Sequence, residues 1–138
     1  EAAIGRDPRD RQRMAVVPDD RGKRAVTHYE VVEALPAAAL VRFKLETGRT
    51  HQIRVHARHI GHPVLGDPTY GGRTIRYGPH TPRRKAFYDQ LFARLTRQAL
   101  HAHTLGFRHP RTGEWLEFEA PLPEDMARAL EQLRQDPL

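Results

Sequence analysis

Leu40-Val41-Arg42-Phe43-Lys44-Leu45-Glu46 runs directly into Thr47-Gly48-Arg49-Thr50-His51-Gln52-Ile53-Arg54-Val55-His56-Ala57-Arg58-His59-Ile60-Gly61, and the change of period in mid-stretch decides the fold class. The first part alternates, with Val41, Phe43 and Leu45 on one face and Arg42, Lys44 and Glu46 on the other, as a half-buried strand does. Past Gly48 the alternation stops. Ile53, Ala57 and Ile60 recur at helical spacing, Thr50 offers an N-cap and Gly61 a stop, so the chain is expected to turn from strand to helix at residues 47–51.

Working outward, Arg24 to Leu35 is dense in β-branched and aromatic residues and is broken by Pro36, which predicts a strand antiparallel to the one that opens the quoted stretch. On the other side, His62-Pro63-Val64-Leu65-Gly66-Asp67-Pro68 and Tyr70-Gly71-Gly72 carry turn chemistry, in which Asp67 has a turn or cap role. Residues 74–84 read as a basic loop, and Lys85 to Leu95 as a short amphipathic helix. Two strands, Gln98 to Phe107 and Glu114 to Ala120, are expected around a hairpin at His109-Pro110-Arg111-Thr112-Gly113. A final helix over 123–135 would bury Met126, Leu130 and Leu133. Residues 1–22, rich in Arg, Asp and Pro, read as an extended arm or linker. This order of elements argues for an α+β fold, a mainly antiparallel mixed sheet with flanking helices, in one domain or a piece of one.

Composition bounds the function. There are 138 residues and no cysteine, which rules out disulfides and thiolate metal sites and leaves the cytoplasm as the default location. No apolar run approaches the roughly 20 residues of a membrane-spanning helix. No glycine-rich phosphate loop follows a strand, so a nucleotide cofactor has little support. The chain opens Glu1-Ala2-Ala3 without a start methionine, which leads to the expectation of a truncated or processed chain. Lys and Arg total 23 against 17 Asp and Glu, a formal charge of +6, and the charge is segregated. No acidic residue lies between Thr47 and Gly66, only Asp89 lies between Arg73 and Arg97, and from Glu114 onward acids dominate. One face for a polyanion and one for water is the simplest reading, with RNA the expected partner; ordinary solvated surface is the alternative.

Arg54 and Arg58, four residues apart, share one stripe of the expected helix, with Arg49, Thr50, His51 and Gln52 at its start. Such groups bind phosphate or base edges, although a capped surface helix with solvated arginines fits the same letters. His59 with His62, and His101 with His103, have spacings a zinc site can use, but the surrounding arginines repel a cation and no carboxylate completes a set, so no metal is expected.

The run Gly48-Arg49-Thr50-His51-Gln52-Ile53-Arg54-Val55-His56, followed by Gly61-His62-Pro63-Val64-Leu65-Gly66-Asp67-Pro68 and Tyr70-Gly71, resembles the arginine motif of the ribosomal large-subunit type of pseudouridine synthase. Ala25 to Tyr29, Arg97 to Ala102, His109-Pro110 and Ala120-Pro121-Leu122-Pro123 look like the same family in the same order, so the resemblance spans nearly the whole chain. It implies a portion, the C-terminal one, of a catalytic domain that isomerises uridine within RNA, ribosomal RNA in particular, with no cofactor. Arg54 matches the arginine that pairs with the catalytic aspartate. Arg49, Thr50, His51, Gln52 and Arg58 become candidates for RNA contacts, and Leu100 and Ile53 for the uracil pocket. The Arg-Leu-Asp motif that carries the aspartate in that family does not occur in these 138 residues, nor does its Lys-x-Tyr motif. The resemblance therefore implies that Arg54 supports a group located elsewhere in the same catalytic domain, and that the isolated chain is inactive. A non-catalytic RNA-binding module on the same scaffold is the competing reading.

Overall fold

A computed structural model describes residues 1–138. Three antiparallel hairpins and three helices follow one another. β1 (Ile4–Arg6) pairs with β2 (Met14–Val16), β3 (Thr27–Ala34) with β4 (Ala39–Leu45), and β5 (Thr104–Arg108) with β6 (Trp115–Glu119). Helix α1 (Gln52–His59) follows the second hairpin, α2 (Pro82–Arg94) precedes the third, and α3 (Glu124–Leu133) closes the chain. The fold is α+β. The strands form separate two-stranded units, and all three pairs are antiparallel.

Residues 1–22 are not an extended arm. They form the β1–β2 hairpin, whose Ile4 is buried beside Ala25, Val55 and Tyr70. Met14 to Val17 resemble a short strand in the sequence, but the Arg- and Pro-rich letters hid its partner, because only Ile4 of β1 and Ala3 just before it are buried. The helix entry also differs from expectation. Thr50 is exposed and does not cap α1; His51 occupies that position with φ of 54°, in the left-handed region, without a side-chain cap bond. Ile60 is exposed, and the buried residues of α1 are Gln52, Val55 and Ala57.

Helix α2 begins three residues before Lys85, because Thr81 accepts a bond from the Arg84 amide and Pro82 opens the first turn. The strand expected from Gln98 begins only at Thr104. Arg97 takes the Gln98 and Leu100 carbonyls, and the Ala99 amide bonds to the Leu65 carbonyl, so this segment has no strand partner.

Only 20 of 138 residues are buried, so apolar burial is concentrated in two small clusters. One joins α2 to α3 through Tyr88, Leu91, Phe92, Leu95, Ala129 and Leu133, with Leu35, Leu65 and Met126 packed on it. The other is Ile4, Ala25, Val55 and Tyr70, beneath β2. Residues 65–72 link the two, since Leu65 packs on the first cluster and Tyr70 belongs to the second. A buried ionic knot adds to the first: Arg84 makes two bonds of 3.0 Å to Asp136, and the Tyr88 hydroxyl donates to the same carboxylate at 2.6 Å. In the β3–β4 hairpin, Tyr29 pairs with Phe43 and Val31 with Val41 on one face, and Tyr29 and Val31 remain more than half exposed.

Candidate functional site

The turn after α1 places the central charge. Gly66 has φ of 81°, a conformation glycine adopts without penalty, and its amide bonds to the Gly72 carbonyl at 2.7 Å while the Gly72 amide returns a bond to Asp67 at 2.8 Å. A Cβ on Gly72 would lie 1.8 Å from the Val64 carbonyl oxygen, so this ring of backbone closes only around glycine. Within it, Asp67 Oδ1 accepts the amides of Thr69 and Tyr70 at 2.9 and 3.1 Å. The Asp67 side chain is fully buried.

A carboxylate so placed requires a cation, and Arg54 supplies it. Its Nε donates to Asp67 Oδ2 at 2.8 Å and its Nη2 to Oδ1 at 2.9 Å, a paired charge-assisted contact. Burial alone would raise the Asp67 carboxyl; the Arg54 bonds and the Thr69 and Tyr70 amides outweigh it and hold its pKa below the usual carboxylate range. The sequence reading assigned Arg54 a partner outside the chain and Asp67 a turn role alone. Asp67 keeps its turn bonds and is also an internal partner of Arg54. The two are 13 residues apart, and only closure of the Gly66–Gly72 ring brings the carboxylate under the helix.

Arg54 is not exhausted by this contact. A guanidinium has five N–H groups, and Asp67 takes one edge, leaving Nη1 and the second hydrogen of Nη2 as a further fork. Nη1 makes no hydrogen bond in the chain and is not sealed from solvent. Tyr70, buried beside the pair, has Arg54 Cζ 5.1 Å and Arg13 Cζ 4.9 Å from its ring centroid. Its hydroxyl accepts the Met14 amide at 3.2 Å and lies 3.3 Å from His51 Nδ1. Desolvation and then the Arg54 charge lower the His51 pKa, which favours a neutral ring able to accept the Tyr70 proton.

The other expected site residues divide into two groups. Arg58 is exposed, and Arg49 is half-buried with Nε tied to the Arg24 carbonyl at 2.9 Å. Gln52 faces the interior: Nε2 donates to the Val26 carbonyl and Thr27 Oγ1, and Oε1 accepts the Arg49 amide and the Thr47 hydroxyl. Every polar group of this side chain is engaged inside the protein, so it splices α1 to β3. His56 behaves likewise, bridging Thr27 Oγ1 and the Ala2 carbonyl, each at 2.8 Å. Ile53 and Leu100 are half-buried and belong to neither core cluster. His101 and His103 both donate to the Ala120 carbonyl, at 3.0 and 2.8 Å, which accounts for that pair. The structure contains no group of three or more metal-ligating side chains. No helix is long and apolar enough to cross a membrane.

Comparison with known proteins bears on this arrangement. The model of the RNA pseudouridylate synthase family matches residues 2–59, from before β1 to the end of α1. An RNA pseudouridine synthase of Bacillus subtilis, named YlyB, is 52% identical over 136 residues, covering 99% of this chain and 39% of its own length. The chain belongs to the pseudouridine synthase family, of the ribosomal large-subunit type. Another relative, ribosomal large subunit pseudouridine synthase D of Pseudomonas aeruginosa, is also 52% identical, across 99% of the chain and 41% of its own length. The human protein RNA pseudouridylate synthase domain containing 4 has a solved structure that superimposes with a TM-score of 0.63 at 28% identity, over 96% of this chain and 50% of that one. This pseudouridine synthase chain thus spans about 40% of the length of the curated relatives it matches. The family match ends at His59, so it includes Arg54 and stops short of Asp67 and Tyr70.

Proposed function

We propose that the protein containing this chain converts uridine to pseudouridine in structured RNA, with large-subunit ribosomal RNA as the substrate class and the cytoplasm as its place of work. The observation that carries the reading is Arg54, fixed by Asp67 along one edge and still able to donate along the other.

Isomerising a uridine requires the base to be detached, turned and rejoined through carbon, which the family resemblance assigns to an aspartate. A carboxylate doing this must be ionised and held in one orientation, and the free edge of Arg54 suits both needs through paired charge-assisted bonds. Because Asp67 fixes the guanidinium, the incoming carboxylate meets a donor that is already oriented. We assign the catalytic aspartate to protein outside these 138 residues, because the Arg-Leu-Asp motif is absent from them and the relatives are longer. In this reading residues 1–138 are one portion of a catalytic domain, and the exposed Tyr29 and Val31 face suits packing against the remainder. No cofactor is invoked. Arg49, Thr50, His51 and Arg58 would meet RNA, and Ile53 and Leu100 would flank the uracil.

The test uses the longest encoded protein that contains this chain, incubated with large-subunit ribosomal RNA and assayed for pseudouridine by mass spectrometry. Formation of pseudouridine, lost by at least 100-fold in Arg54→Lys with RNA affinity retained, supports the reading. RNA binding without any conversion would make the protein a non-catalytic RNA module instead.

A further inference from the structure

A second cationic feature lies one aromatic ring away from Arg54. Between the β1–β2 hairpin and the C-terminal half of α1 is a cleft of about 230 Å³, lined by Arg13, Arg58, His59, Asp7 and Tyr70, with Met14, Val16 and Val55 among its apolar walls. Arg13 reaches it from β2's approach, and Arg58 and His59 from the last turn of α1.

These cations are poorly matched inside the protein. Arg13 Nε is buried and has no hydrogen-bond partner. The nearest carboxylate oxygen, Asp7 Oδ2, is 3.4 Å away, beyond a good charge-assisted bond. A buried donor without a partner is costly, and Arg13 Nη1 and Nη2 make no hydrogen bond in the chain and are not sealed from solvent, so the guanidinium remains able to meet an anion. Arg58 and His59 are exposed, and their side chains engage no acceptor. Asp7 is itself held by the Arg9 amide at 2.9 Å, so it stands as an internal carboxylate at the edge of a site otherwise built for an anion.

We propose that this cleft is a binding subsite for one phosphodiester of an RNA strand, held by Arg13 and Arg58 with His59 beside them. This rests on the RNA reading given above, which already includes Arg58, and extends it to Arg13 and Asp7 of the β1–β2 hairpin. The volume, below the roughly 300 Å³ where drug-sized pockets begin, suits a single backbone phosphate and not a whole base. Arginine supplies planar donors that match phosphate oxygens. Tyr70, with Arg13 and Arg54 both close to its ring, places the bound phosphate near the nucleotide presented to Arg54. Asp7 competes with that phosphate for Arg13.

The experiment measures binding of a fluorescent uridine-containing RNA stem-loop to the protein by anisotropy, across about 50–200 mM salt, so that the slope of log affinity against log salt counts phosphate contacts. Arg13→Gln and Arg58→Gln are each expected to reduce the slope by about 0.7–0.9. Asp7→Asn is expected to raise affinity several-fold by removing the competitor, an effect a purely structural Asp7 would not give. Arg128→Gln, on α3 and paired with Glu124, is the control and should leave the slope unchanged. Should Arg13→Gln fail to fold, the exposed Arg58→Gln and the isosteric Asp7→Asn carry the decision. Slopes and affinities that stay at the unchanged protein's values in folded variants overturn the cleft assignment alone. Absence of any salt-dependent RNA binding by the unchanged protein overturns both the cleft and the RNA reading.

Discussion

Arg54 and Asp67 face each other across the gap between helix α1 and the turn that follows it, joined by two bonds of 2.8 and 2.9 Å. The carboxylate is fully buried and the guanidinium nearly so. Removing either partner strands a charge away from water. Arg54→Ala is therefore expected to destabilise the protein by about 3–5 kcal/mol, and a double variant, Arg54→Met with Asp67→Asn, which removes both charges and keeps an acceptor for the Thr69 and Tyr70 amides, by clearly less. Urea unfolding of the two variants checks this; equal losses would mean the pair does not act as a unit.

Acid sensitivity follows from the same pair and from the Arg84–Asp136 knot. The Arg84 bonds, opposed by burial and aided by the Tyr88 hydroxyl, hold the Asp136 carboxyl low, as Arg54 and two amides do for Asp67. A carboxyl whose folded pKa is depressed contributes stability that is fully present above its unfolded value, about 3.9, and is lost as pH falls through the folded one. Unfolding free energy should thus fall steeply below about pH 4. Asp136→Asn should show a shallower fall from a lower starting point, measured by urea titration at pH 7, 5 and 3.

Gln52 sits in the middle of the motif that reads as an RNA contact, and the fold consumes all of its hydrogen-bonding groups. Gln52→Leu leaves the Arg49 amide and the Thr47 hydroxyl without an acceptor, at roughly 1–3 kcal/mol each, while the Val26 carbonyl keeps the Glu46 amide. The expected outcome is a loss of at least about 2 kcal/mol on this basis, with no change in the salt slope of RNA binding for the folded fraction. A reduced slope with undiminished stability would return Gln52 to the interface.

Gly72→Ala drives a methyl group into the Val64 carbonyl. The turn must open to accept it, costing about 1–3 kcal/mol or more and moving Asp67 away from Arg54. Turnover by the longest encoded protein should fall with the fold retained, and a crystal structure of the variant would show the Arg54–Asp67 bonds lengthened.

Much of this was legible in the sequence. The switch from alternation to helical spacing at Gly48 located β4 and α1, and the acid-free basic run pointed to a polyanion. What was not legible was pairing at a distance. Nothing in the local letters tells Gln52, buried, from Arg58, exposed, because a polar side chain goes inside only when tertiary neighbours satisfy it. The Arg54–Asp67 contact left a faint signal, an aspartate between glycines that demand unusual backbone, but its direction depends on ring closure. Arg13 left none: it lies in a stretch rich in Arg and Asp, and only the β1–β2 hairpin brings it to Tyr70. The Thr81-Pro82 start of α2, a cap followed by a first-turn proline, was a local signal that the reading of residues 74–84 as a loop passed over.

Residues 65–72 touch both apolar clusters, Leu65 in one and Tyr70 in the other, through a ring of backbone closed by reciprocal hydrogen bonds. Two half-cores, each too small to be secure alone, are stapled by a single rigid turn, and the turn also carries the aspartate that aims Arg54. Cooperativity in unfolding and competence of the site therefore share one physical origin: an event that loosens either half reaches the guanidinium through eight residues, and the site is lost before the chain is.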